Sequence, residues 1–217
     1  MRFHDRVEAG RLLGERLRGD YAGVPDLLVL GLPRGGVPVA FEVARALEAD
    51  FDVYVVRKLG VPGHEELAMG ALASGGVRVL NDSVVDSLGI GDEVIAWAVA
   101  AENTELERRE REYRGDRGPV DVTGRTVIVV DDGLATGSTM RAAALAVRAQ
   151  HPDRVVVAVP VAAEATCAEF RGEVDEVVCL HTPEPFYAVG LWYENFEATS
   201  DAEVRDLLAR SASAPAR

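Results

Sequence analysis

An α/β fold, with an open, mostly parallel twisted sheet flanked by helices, is what this sequence predicts. Three observations carry the prediction. Short β-branched runs recur along the chain without the apolar–polar alternation of a sheet that has one wet face, so each strand must be buried on both sides. Helical apolar spacing fills the segments between them, and strands alternating with helices imply parallel pairing with helices on both faces. Finally, 217 residues, 48% of them apolar, suffice for one full core and suggest a single domain over 1–217.

The elements follow in order. "DRVEAGRLLGERLR" (5–18) spaces Val7, Leu12, Leu13 and Leu17 as an amphipathic opening helix. "DLLVLGL" (26–32) reads as a buried strand, followed by "PRGG" and the helix "VPVAFEVARALEA". "FDVYVVRKLG" gives a second strand and "GVRVLN" (76–81) a shorter one, with the Gly- and Pro-punctuated "VPGHEELAMGALASG" between them as a less regular stretch. Residues 92–114 are helical, and their interleaved acids and arginines mark a solvated face with i,i+4 pairs. "RTVIVVD" (125–131), the helix "STMRAAALAVRAQ", "RVVVAVPV" (154–161), the helix "AEATCAEFRG" and "DEVVCL" (175–180) complete the alternation. No internal repeat interrupts it, and the tail "SASAPAR" (211–217) is expected to fray.

Charge and cysteine content narrow the function. A net charge of -13 with no basic block argues against nucleic acid and anionic membrane surfaces, while leaving anionic small molecules open. Cys167 and Cys179 form no metal spacing and no disulfide framework, so buried free thiols in a reducing compartment are expected. The first residues carry charges where a signal peptide needs an apolar run, and no stretch is long enough to span a bilayer. The expectation is a soluble, cytoplasmic protein.

"VIVVDDGLATGST" (127–139) poses the chemical problem: two adjacent acids beside what looks like a phosphate cradle. In open parallel sheets, ligands sit beyond the carboxyl ends of the strands, at a switch point. Gly133 and Gly137 let backbone N–H groups converge on an anion there, alongside Ala135. Thr136, Ser138 and Thr139 add hydroxyl donors, and the helix start adds partial positive charge. Carboxylates only accept, so Asp131 and Asp132 must serve another part of the ligand, and vicinal sugar hydroxyls suit them. The stretch reads as a site for a 5-phosphorylated ribose.

This segment resembles the phosphoribosylpyrophosphate (PRPP) signature of type I phosphoribosyltransferases. There is no G-x-x-x-x-G-K-[ST] and no G-x-G-x-x-G after a strand, and the acids are adjacent rather than spaced as in haloacid-dehalogenase-type phosphatases. Similarity extends from about residue 5 to 208, and the chain looks closest to uncharacterised bacterial phosphoribosyltransferase-domain proteins pairing "LPRGGVPVA" with "RKLGxPGxxELAMGA" and "DDGxATG". The resemblance implies the type I fold, with a core over about 20–182, a small hood over about 183–210 and a flexible loop.

It also implies roles. "LGLPRGGVPVA" (30–40) corresponds to the pyrophosphate loop, with Arg34 supplying charge, Gly35 and Gly36 allowing close approach, and a non-proline cis peptide near Arg34–Gly35. Lys58, with Arg57 behind it, corresponds to the basic residue that neutralises leaving pyrophosphate, although strand-end basics can also be merely solvated. "VPGHEELAMGALASGG" falls where the family carries its catalytic flap; Glu65 or Glu66 could accept a proton there or could simply start a helix, and His64 reads as a surface residue. Phe186 is the candidate for stacking on a base, with Tyr187 and Val189 beside it, whereas Trp192, Tyr193 and Phe196 read as hood core.

Implied partners are PRPP and a nitrogenous base, with Mg²⁺ held mainly by PRPP and water, and a homodimer. Ala135 stands where hypoxanthine–guanine enzymes carry an acid, which disfavours a 6-oxopurine acceptor. The leading expectation is transfer of 5-phosphoribose from PRPP to a nitrogen nucleophile; the alternative is a non-catalytic PRPP or nucleotide sensor on the same fold.

Overall fold

The structure, a computed structural model, describes residues 1–115 and 117–212, with the side chains of Glu65 and Glu66 outside the description. Its elements are α1 (Arg6–Tyr21), β1 (Leu27–Gly31), α2 (Gly36–Leu47), β2 (Asp50–Val53), β3 (Val56–Val61), β4 (His64–Ala73), β5 (Val77–Leu80), α3 (Asp82–Leu88), α4 (Asp92–Arg114), β6 (Thr126–Val130), α5 (Ser138–Arg148), β7 (Arg154–Val161), α6 (Glu164–Phe170), β8 (Glu176–His181), a 3₁₀ turn (Val189–Trp192) and α7 (Asp201–Ala212).

The main sheet is parallel throughout, in the order β2-β1-β6-β7-β8. Its strands bury both faces by alternation. Leu28, Leu30, Val127, Val129, Val155 and Val157 join α5 and α6 on one side, while Val29, Ile128, Val130, Val156 and Ala158 join α1, α2 and α7 on the other. Each fully buried aliphatic side chain contributes about 1.5–3 kcal/mol, so the three central strands anchor the fold. The chain leaves β1 toward β2 and leaves β6 toward β7, in opposite directions along the sheet. The crevice between β1 and β6 is therefore the switch point, and both motif loops emerge there.

Two strand expectations change. "FDVYVVRKLG" is two strands rather than one: β2 edges the parallel sheet, and β3 departs to pair with β4. Tyr54 makes the corner. Its N–H still bonds Gly31 O at 3.0 Å, its ring is buried, and its hydroxyl accepts from Gln150 at 2.8 Å. Next to it, the Ser74 hydroxyl accepts from Val55 N–H and fastens the start of the second sheet.

The punctuated stretch 61–75 contains the ten-residue strand β4, which pairs antiparallel with β3 on one side and β5 on the other. Its residues satisfy their backbone groups in a ladder that local composition did not disclose. Gly70 belongs there because a Cβ would overlap Val79 O across the ladder.

The cysteine expectation is overturned. Cys167 of α6 and Cys179 of β8 form a disulfide, their Cα atoms 6.9 Å apart, and no free cysteine remains among the described residues. Helix α6 doubles back from β7 to lie over the strand that follows it, which brings residues twelve apart in sequence face to face. The non-proline cis peptide is Pro33–Arg34, one residue earlier than expected. Among the described residues no helix is long and apolar enough to cross a membrane.

Candidate active site

Register brings the two motifs together. Leu30 and Gly31 lie opposite Val129 and Val130, and Leu32 N–H continues the ladder to Val130 O at 2.9 Å. The "PRGG" loop thus leaves β1 directly beside the acids that end β6. The contact is close enough to exclude any side chain: a Cβ on Gly35 would overlap Asp132 Oδ2, and one on Gly36 would lie 2.6 Å from Val130 O. These glycines are dictated by the acids' own position.

The hydroxyl turn is anchored on its far side. Leu134 N–H bonds Val161 O at 2.9 Å, Ala163 N–H bonds Leu134 O at 3.1 Å, and the Thr166 hydroxyl donates to Ala135 O at 2.7 Å. Gly137 has φ +73°, and a Cβ there would also lie 2.6 Å from the Phe170 ring. Helix α5 begins immediately after it without a side-chain cap, so its first N–H groups remain donors for an anion. Ala135, Thr136 and Thr139 are exposed around this mouth, Ser138 is half-buried, and Gly137 is buried. Gly133 closes the turn against the hood, where a Cβ would strike Val189.

The acids are electrostatically frustrated. Asp131 is held well above the usual carboxylate range, first by burial and then by the neighbouring Asp132 charge, against the relief of the Asp132 N–H that bonds its Oδ1 at 2.9 Å. Burial also raises Asp132, countered by Arg6. Arg6 Nε and Nη2 lie 2.9 and 2.8 Å from Asp132 Oδ2, and the Tyr193 hydroxyl donates to Asp132 O at 2.6 Å.

Arg6 and Tyr193 are contacts that sequence reasoning missed. Tyr193 is fully buried, and its hydroxyl is spent on the acid's backbone. Nothing local to residue 6 or 193 signals a partner so far along the chain.

The remaining candidates divide. Lys58 lies on β3 and lines a cavity of about 580 Å³ together with Pro33, Thr139, Arg57 and Trp97, so it shares a chamber with both loops. Arg57 is committed to Glu102 at 2.6 Å. Arg34, 47% exposed, reaches back to Asp201 at the start of α7, 3.9 Å away, and the Tyr113 hydroxyl donates to the same Asp201 carboxylate at 2.6 Å. Phe186 and Val189 pack half-buried against the Phe3–Tyr193 cluster, but Tyr187 is 79% exposed. The Glu65 and Glu66 side chains lie outside the described residues, and His64 is exposed.

Residues 5–187 match the family model described as the phosphoribosyl transferase domain. The chain belongs to that family. Two Mycobacterium tuberculosis proteins, each bearing the name "Putative phosphoribosyl transferase", are 50% identical over 209 residues. The alignment covers 96% of this chain but 47% of each relative, so the chain spans about half the length of those curated relatives. The crystal structure of TT1426 from Thermus thermophilus superposes with a TM-score of 0.89 at 42% identity, covering 97% of this chain and 99% of that one. A hypothetical protein from Neisseria gonorrhoeae, solved with bound ppGpp, shares the fold at 15% identity and a TM-score of 0.50, covering 97% of this chain and 98% of its own. The mostly parallel sheet with its flanking helices is the type I phosphoribosyltransferase fold.

Proposed function

We propose that this protein transfers 5-phosphoribose from PRPP to a nitrogenous acceptor, a nucleobase being the best fit, and releases pyrophosphate. The observation that carries the reading is the convergence at the β1–β6 crevice: paired acids, an anion-accepting turn at a helix start, and a glycine loop packed directly against the acids. An isolated phosphate site would need only the turn. Asp131 and Asp132 accept the ribose hydroxyls, the backbone and hydroxyls of 133–139 hold the 5′-phosphate, and Arg34, Gly35, Gly36 and Lys58 receive the pyrophosphate. As the bond from the anomeric carbon to the diphosphate lengthens, charge builds on the departing group, and cationic donors that meet it there stabilise the transition state more than the ground state.

The donor set suits magnesium carried in with the substrate. In this reading the diphosphate and water supply most of its hard oxygen ligands, and the two carboxylates stay with the ribose hydroxyls. Mg²⁺ bound to the diphosphate oxygens would neutralise part of the leaving charge. In this reading Phe186 flanks the acceptor ring, so Phe186→Ala is expected to raise the acceptor KM several-fold with little change in the PRPP KM.

Pyrophosphate release, measured with PRPP, Mg²⁺ and a panel of bases and amines, tests the reading. Turnover with at least one acceptor is the expected result. PRPP binding without turnover on any acceptor would favour the sensor alternative, and the lack of PRPP binding would remove the transfer reading and leave only a nucleotide sensor.

A further inference from the structure

Arg6 lies outside the thirteen-residue ribose motif, yet its guanidinium is the cation the structure sets against that motif's acids. Its Nε donates to Asp132 Oδ2, and its Nη2 stands 2.8 Å from the same oxygen. The pair is largely withdrawn from water, with side-chain exposures of 12% for Arg6 and 15% for Asp132.

Arg6 is itself held from behind. Its Nη1 donates to Glu197 O at 2.6 Å, and its guanidinium carbon stands 4.0 Å above the Phe196 ring. Its place in the chain is fixed as well. Asp5 caps α1 by accepting from Glu8 N–H at 2.8 Å, and Glu8 returns to His4 N–H, which sets Arg6 as the first helical residue.

We propose that Arg6 is a positioning residue for sugar binding: it fixes Asp132 through one oxygen and supplies its counter-charge, while Phe196 and Glu197 hold it to that task. The proposal rests on the ribose reading above and deepens it.

The physical need is plain. Two adjacent, water-poor carboxylates resist ionising together, and the cheapest relief without a cation is a proton on one of them. A protonated acid can no longer serve as an all-acceptor clasp for two hydroxyls. The other groups facing the pair do not provide that relief. Asp131 is like-charged, and the Tyr193 hydroxyl is given to Asp132 O. Arg34 of the glycine loop turns to Asp201, while Asp5 and Glu8 of α1 serve as caps, and Glu194 of the hood pairs with His4. Glu197 meets Arg6 through its carbonyl. The burial that raises Asp132 is opposed first by Arg6.

The test uses the full chain as wild type, Arg6→Gln and Arg6→Lys. Carboxyl ¹³C titration without ligand reports Asp132 directly, assigned with Asp132→Asn. In Arg6→Gln its midpoint should rise by about one pH unit or more, and Arg6→Lys should bring most of it back. Calorimetry with PRPP and Mg²⁺ at pH 6 and pH 8 should show Arg6→Gln about ten-fold or more weaker at the lower pH, with the gap narrowing at the higher. An Asp132 midpoint unchanged in Arg6→Gln overturns the proposal. So does an affinity loss equal at both pH values, which a merely structural contact would give.

If Arg6→Gln does not fold, Arg6→Lys decides, since it keeps the charge and gives up the fork and the ring stack. Its Asp132 midpoint should stay within about half a pH unit of wild type, and a rise of about a full unit or more overturns the proposal. If Asp132 titrates as expected in every variant but wild type takes up no PRPP, the ribose reading is what failed. The positioning role falls with it.

Discussion

Asp131 and Asp132 follow a strand whose last four residues are wholly buried, whereas Lys58 sits on a strand of the second sheet whose residues are only partly buried apart from Leu59 and Val61. The first region is built to a tolerance of atoms. Gly35, Gly36, Gly133 and Gly137 each sit where a methyl group would overlap a neighbour, and the turn is pinned by hydrogen bonds to β7 and α6. The second region is assembled from separate elements around a cavity, and Arg34 reaches away from it toward α7 at ion-pair range. Under the proposed transfer the 5′-phosphate end is unchanged while the diphosphate must leave, and a rigid cradle would suit the first and a looser chamber the second.

The strongest way to break this comparison is at the acids. Asp131→Asn together with Asp132→Asn should lower PRPP turnover at least about a thousand-fold, roughly 4 kcal/mol of transition-state stabilisation, with the circular dichroism spectrum unchanged. Full activity in that variant would end the sugar assignment.

Rigidity can be tested next. Gly137→Ala combines left-handed backbone with an overlap onto Phe170, so it should cost about 2–4 kcal/mol in urea unfolding. Gly76→Ala, also at positive φ but with open space around it, should cost less, about 1 kcal/mol. Equal losses would mean that packing around the turn is not tight.

Lys58→Ala probes the looser half. It should lower kcat/KM for PRPP about ten- to a hundred-fold while leaving the urea midpoint close to wild type. A large stability loss would place Lys58 in the structural frame instead.

The smallest effect sharpens the contrast most. Asp131 is raised in the folded state above its unfolded value, so the fold holds that proton more tightly than the unfolded chain. Stability therefore falls as pH rises from the unfolded carboxylate range, about 3.9, through the folded value. Asp131→Asn keeps an acceptor for the Asp132 N–H and removes the charge. At neutral pH it should raise Tm by about 2–4 °C, corresponding to about 1 kcal/mol, and the gain should vanish as pH falls toward 4. A Tm that drops at neutral pH would mean that the charge is already compensated.

Much of this site was legible in the linear order of residues because its parts are contiguous. A strand end, its turn and the following helix start must adjoin, so "VIVVDDGLATGST" carries the anion turn and both acids in a single stretch. Alternating strands and helices identified the parallel sheet for the same reason. Residues joined only by folding were not legible. Arg6 and Asp132 are 126 positions apart and Tyr193 lies 61 beyond that acid, so no local pattern pairs them. The disulfide and the split of "FDVYVVRKLG" belong to this class too, since one depends on α6 lying over β8 and the other on a ladder offered by β4.

Read alone, the chain determined its layered α/β architecture and its glycine–hydroxyl turn after the paired acids, because burial on both strand faces and such turns are properties of neighbouring residues. Tertiary structure alone decided which cation faces the acids, where Lys58 stands and that the cysteines pair. Those outcomes depend on distances between elements, and residue order does not set them until the sheet has formed.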